Sequence, residues 1–307
     1  MSLLDRHHVY LQTLDLVQST RRIPYRSFPY VMVLGDSWLD YPGRNREFIA
    51  HPTNMMRTFM AAQRSSANWY DLAVSGATTR QLSGHLPKLK QLARDVQFDY
   101  IMVSAGGNDY FEKSHALLKD YNPLLSPSEH LEEAAFALVD HTVGQFYRKL
   151  VELRDRYQPK ALIVGHGYLP PIALDEGFLR IGPIRIGPWI SPAMRDKGYF
   201  AATREFRNLV ITEMQARVSE AIRLGLSEAD GPAPHRNYFF DAREHPEALA
   251  LRDRSDWADE IHLSVAGYLR YTQVMIDDMV SKHLFPFRKN QALQAAERSL
   301  RTSRNTS

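Results

Sequence analysis

Apolar residues along this chain fall into two alternating arrangements. Short, nearly unbroken runs rich in β-branched and aromatic side chains occur at "YVMVLG" (30–35), "WYDLAV" (69–74), "FDYIMVSA" (98–105), "KALIVGH" (160–166) and "NYFFDA" (237–242). Runs of this length and composition read as strands buried on both faces. Between them, apolar positions recur at helical spacing around 53–64, 79–95, 128–157 and 196–225, and again over 264–283 after the last strand. Strands alternating with helices predict an α/β fold: a parallel sheet with helices on both faces. Residues 4–21 carry an amphipathic pattern, so residues 1–27 are expected to form an N-terminal helical extension that packs across the sheet or against another subunit in a homo-oligomer.

The main domain is expected over 28–285, with two long Pro- and Gly-punctuated excursions near 110–130 and 167–200, the second echoing "RIGP". Both leave from strand ends, where insertions of this length serve as lids or surface loops; as lids they would wall in a mostly apolar pocket. From 286 to 307 the chain turns basic and polar, which reads as a solvated tail.

Composition narrows the chemistry. The 307 residues are 44% hydrophobic and 24% charged, enough to bury a sizeable core. Net charge is only +3 and the charges are interspersed, so the body has no basic stripe of the kind nucleic acid requires. No apolar run approaches the roughly 18 residues that would span a membrane, and the start lacks the charged-then-apolar order of an export signal. The expectation is therefore a cytoplasmic protein. With no cysteine, there is no disulfide, thiolate metal site or sulfur nucleophile. Neither an HExxH nor a P-loop pattern suggests a metal or organic cofactor, and none is expected.

In parallel sheets, ligands bind at the carboxyl ends of the strands, and the unusual residues of this chain cluster there. The first main strand ends in Gly35-Asp36-Ser37, the second in "SGATT" with Gly76, the third in "GGND" with Asn108. "DEIH" (259–262) follows the last. A serine hydroxyl needs a histidine base, a carboxylate to orient the imidazole, and donors for the developing oxyanion. Ser37 and His262 supply the first two. Asp259 has a spacing that lets it turn back onto the imidazole, and Asp256 and Glu260 offer alternatives. Gly76 can point a backbone N–H at an oxyanion, and Asn108 can add its amide. Trp38, Tyr110, Phe111, Tyr168 and Trp257 lie beside these motifs and are candidates for an acyl or aryl slot.

Taken together, "GDSW", "SGATT", "GGND" and "DEIH" resemble the four blocks of the SGNH, or GDSL-type, hydrolases over about 30–283. The resemblance implies a three-layer α/β/α sandwich on a flavodoxin-like five-stranded parallel sheet. It also implies Ser37–His262–Asp259 catalysis and an oxyanion hole from the Ser37 and Gly76 N–H groups plus the Asn108 amide. Trp38 stands where many relatives carry leucine, and Leu263 where many carry proline; both substitutions can reshape the acyl pocket. The function expected is hydrolysis of small carboxylic esters through an acyl-serine. An acyltransferase or carbohydrate deacetylase using the same groups is the alternative, and a non-catalytic binding protein on this scaffold is a third reading.

Overall fold

The computed structural model describes residues 8–11, 28–40, 54–62, 67–173, 179–181, 184–186, 188–227 and 236–288. All five expected strands form: β2 (Tyr30–Gly35), β3 (Asn68–Asp71), β4 (Tyr100–Ser104), β5 (Leu162–His166) and β8 (Asn237–Phe240). They join in parallel in the order β3-β2-β4-β5-β8, with Val31 opposite Trp69 on one side and Tyr100 on the other. Every residue of β2, β4 and β5 is buried, which accounts for their unbroken apolar runs.

From β2 the chain adds β3 on one side and then β4, β5 and β8 on the other. Right-handed crossovers then place helix α1 (Met55–Ala62) on one face of the sheet. The opposite face carries α2 (Thr79–Ser83), α3 (Leu86–Asp95), α4 (Glu133–Tyr157) and α5 (Arg204–Ser227). The C-terminal helix α6 (Val265–Ser281) packs beside α1. The point where strand addition reverses lies between β2 and β4, so the crevice expected of such sheets opens beyond Gly35 and Ser104.

Three sequence expectations require correction. Within the stretch expected to be helical at 4–21, residues His8–Leu11 instead form β1, a sixth parallel strand paired with Asn68–Asp71; the rest of that stretch lies outside the described residues. Without it, the edge of β3 would leave a row of backbone groups unpaired, and "HVYL" carries the β-branched and aromatic residues that suit the pairing. The pattern over 79–95 divides into α2 and α3, because Gly84 ends one helix and Pro87 opens the next. The tail placed from 286 begins inside the core: Phe287 is buried against Phe59, Trp69 and Tyr100. Burying a ring of that size contributes roughly 2–3 kcal/mol.

The two excursions pack on each other. Tyr121 N–H donates to the Lys197 carbonyl (2.8 Å), Tyr199 O–H to the Lys119 carbonyl (2.9 Å), and Lys197 pairs with Asp120 (3.1 Å). Tyr121, His130, Tyr199 and Phe206 form an aromatic cluster between them. The second excursion also holds a small antiparallel hairpin, β6 (Leu179–Ile181) and β7 (Ile184–Ile186), on the two halves of the "RIGP" echo.

Candidate active site

Ser37 is the first residue of a one-turn helix, Ser37–Asp40, that begins where β2 ends. Asp36 fixes this turn. Its backbone N–H donates to the Ser104 carbonyl (2.9 Å), and its Oδ1 accepts from Trp38 N–H (3.0 Å) and the Ser104 hydroxyl (2.8 Å). Its Oδ2 accepts from the Tyr168 hydroxyl. Burial pushes the Asp36 carboxyl up to about 6, against the pull of these three donors.

Asp259 and His262 lie on one tight loop. Ala258 N–H donates to the His262 carbonyl (2.8 Å), and Ser264 caps α6 by accepting from Gly267 N–H (3.1 Å). The Trp38 indole N–H reaches across to the Ile261 carbonyl (3.3 Å), joining the serine turn to this loop. Ser37 Oγ lies 2.7 Å from His262 Nε2, and His262 Nδ1 lies 2.7 Å from Asp259 Oδ2. All three side chains are buried, at 4%, 4% and 1% exposure for Ser37, His262 and Asp259.

Of the three carboxylates near the histidine in sequence, the structure brings Asp259 to the imidazole. Asp256 instead accepts from Arg270 (2.6 Å), and Glu260 turns to the segment 189–191.

β3 and β4 flank β2, so the loops leaving them border Ser37 on both sides. Gly76 sits in the first at φ +77°, a backbone state that glycine adopts without strain, and is exposed. Asn108 sits in the second and donates its amide to the Ala77 carbonyl (3.0 Å). Asp109 reinforces the junction by accepting from the Thr79 N–H (2.9 Å) and hydroxyl (2.6 Å). The arrangement places an aligned hydroxyl, imidazole and carboxylate at the end of β2, bordered by the two loops that carry Gly76 and Asn108. Among the described residues, no group of three or more His, Cys, Asp and Glu is placed to hold a metal ion.

Residues 33–270 match the model of the GDSL-like lipase/acylhydrolase family, and that span contains every motif described above. The chain belongs to this family. No curated protein sequence matches it. Similar solved structures include Est24, a carbohydrate acetylesterase from Sinorhizobium meliloti (15% identity, covering 82% of this chain and 99% of that one, TM-score 0.45). Others are an extracellular lipase from Streptomyces rimosus (16%, 80% and 98%, 0.44) and phospholipase A1 from Streptomyces albidoflavus NA297 (17%, 80% and 99%, 0.45). Among the described residues of this GDSL-family chain, no helix is long and apolar enough to cross a membrane.

The five aromatic residues expected to shape a slot are all buried. Trp38 stacks on His166 (5.4 Å) and meets Tyr168, Tyr268 and Tyr271 edge-on. Tyr110 donates to Asp140, Tyr168 to Asp36, and Trp257 to the Leu251 carbonyl (3.0 Å), while Phe111 is packed in the core. Polar groups on large rings find partners when buried, and these rings brace the site's loops from behind. The aromatic residue beside the imidazole is one that sequence reasoning missed: Trp189, half-buried, with its ring 5.5 Å from that of His262. No motif marks it, since it lies deep in the second excursion.

Proposed function

We propose that this protein hydrolyses carboxylic esters through an acyl-serine intermediate. The observation that carries this reading is the pair of 2.7 Å hydrogen-bond contacts linking Ser37, His262 and Asp259, in a chain of the GDSL acylhydrolase family. Ser37 Oγ attacks the ester carbonyl as His262 Nε2 takes its proton, and Asp259 holds the resulting imidazolium. The Ser37 and Gly76 N–H groups and the Asn108 amide stabilise the tetrahedral oxyanion. The imidazolium then protonates the departing alcohol oxygen. Water, deprotonated by the same imidazole, attacks the acyl-serine and releases the carboxylic acid.

The excursions over 110–130 and 167–200, packed on each other near this crevice, favour a substrate of modest size over a polymer. A panel of chromogenic esters from acetate to long acyl chains, together with an acetylated sugar, tests the reading in wild type and Ser37→Ala. Hydrolysis by wild type that falls on the order of 10³-fold or more in the variant supports it; equal turnover by both proteins refutes it.

A further inference from the structure

Glu260 lies between the acid and the base in sequence, yet its carboxylate serves another segment. Oε2 accepts the N–H groups of Trp189 (2.5 Å) and Ile190 (2.8 Å), and Oε1 accepts the N–H (3.0 Å) and hydroxyl (2.5 Å) of Ser191. The residue is 1% exposed, and burial pushes its carboxyl up while these four donors pull the other way. Four donors from three consecutive residues fix that segment as one piece. Trp189 belongs to it, with its ring edge-on to the imidazole at 80°. The other three tryptophans, Trp38, Trp69 and Trp257, are buried, and Trp189 alone of the four is partly exposed.

We propose that Trp189 walls the subsite for the alcohol half of the ester, and that Glu260 is the positioning residue that holds it there. This rests on the ester-hydrolase reading above. When an acyl-serine forms, His262 Nε2 hands its proton to the departing oxygen, which must come within about 3 Å of that nitrogen. The carbon skeleton of the alcohol therefore extends past the imidazole, where Trp189 stands. An indole at that place favours an alcohol with a flat apolar face, an aryl ring or the C–H face of a sugar, over a methyl group. The wall is braced, because the segment it begins is tied to the first excursion through Lys197 and Tyr199.

The test compares kcat/KM for methyl acetate, benzyl acetate and an acetylated sugar in wild type, Trp189→Ala, Trp189→Phe, Glu260→Gln and Ser191→Ala. Because kcat/KM covers the steps up to alcohol release, it senses the leaving group even where deacylation limits turnover. Trp189→Ala should lower selectivity over methyl acetate by about 10-fold for benzyl acetate, the sugar ester or both, and the larger drop tells which alcohol the wall suits. The methyl ester should lose less than the affected larger ester, and Trp189→Phe should recover most of the benzyl selectivity. Glu260→Gln and the milder Ser191→Ala should shift selectivity the same way by less. Unchanged selectivity in Trp189→Ala, or an equal loss on all three esters, overturns the proposal.

Tryptophan fluorescence decides the point without hydrolysis. Benzyl alcohol, standing in for the departing alcohol, should protect wild-type emission from acrylamide quenching, and Trp189→Phe should lack the protected component. Glu260→Gln should make that component more quenchable. Absence of protection, or quenching that ignores Glu260→Gln, overturns the subsite or the clamp respectively. Protection in a wild type that hydrolyses none of the esters would sink the hydrolase reading alone.

Discussion

Asp259 holds His262 at two places: Oδ2 meets the ring Nδ1 at 2.7 Å, and Oδ1 accepts the backbone N–H of the same residue at 2.7 Å. With Nδ1 as donor, Nε2 is left as the acceptor that faces Ser37. Asp259→Asn brings an NH₂ group into a site where only acceptors fit, so either the tautomer or the loop is disturbed. It should lower kcat by roughly 10³–10⁴-fold in steady-state kinetics. Activity within about 10-fold of wild type would remove Asp259 from the mechanism.

Asn108 stands in the loop that follows β4, and its amide joins the two strand-end loops by donating to the Ala77 carbonyl. Asn108→Ala should lower kcat by roughly 10²–10³-fold, the loss expected for one oxyanion donor. It is only partly buried, so thermal unfolding should change little. A large drop in Tm with kcat retained per folded molecule would show a structural role instead.

Gly267 opens α6 against the loop that carries Asp259 and His262. A Cβ there would lie 2.1 Å from the Asp256 carbonyl oxygen and 3.1 Å from the Leu263 Cβ, so backbone must move. Gly267→Ala should destabilise by about 1–3 kcal/mol and reduce activity by shifting the imidazole. Denaturant unfolding and kcat measured together check this. By contrast, a Cβ on Gly76 meets nothing within 4 Å, so Gly76→Ala should be limited by backbone strain of about 1–2 kcal/mol at its positive φ.

Burial raises the Asp36 carboxyl from 3.8 to about 6, so the folded protein binds its proton more tightly than the unfolded chain does. Below about pH 4 both states are protonated, and above about pH 6 both are ionised. Between those values only the unfolded chain has lost the proton, and the contribution of Asp36 to stability falls as pH rises. The fall is on the order of 3 kcal/mol at most. Asp36→Asn removes this dependence. Urea unfolding at pH 4 and pH 7 should show wild type losing stability relative to the variant as pH increases, and a relative gain would contradict the assignment.

Strands buried on both faces were legible because nothing but an α/β sheet accommodates five such runs between helices. The edge strand at His8–Leu11 was not, since four residues in an amphipathic stretch fit either structure and the open edge of β3 decides. Ser37, His262, Gly76 and Asn108 could be singled out because each stands where an element ends. Among the three carboxylates near His262, only spacing favoured Asp259 over Asp256 and Glu260; the Ala258 to His262 turn brings Asp259 to the ring. An aromatic residue beside a motif reads the same whether it lines a crevice or braces it, as Trp38 and Tyr168 do from the core. Trp189 owes its place beside His262 to the Glu260 clamp, a tertiary contact across 71 residues of chain.

Covalent labelling with a fluorophosphonate tests whether Ser37 is a nucleophile activated by His262. Wild type should gain one phosphonyl group, located by mass spectrometry on the peptide containing Ser37, and lose ester hydrolysis in proportion, while Ser37→Ala should take up none. Equal labelling of Ser37→Ala, or full inactivation of wild type through a different residue, would contradict the account.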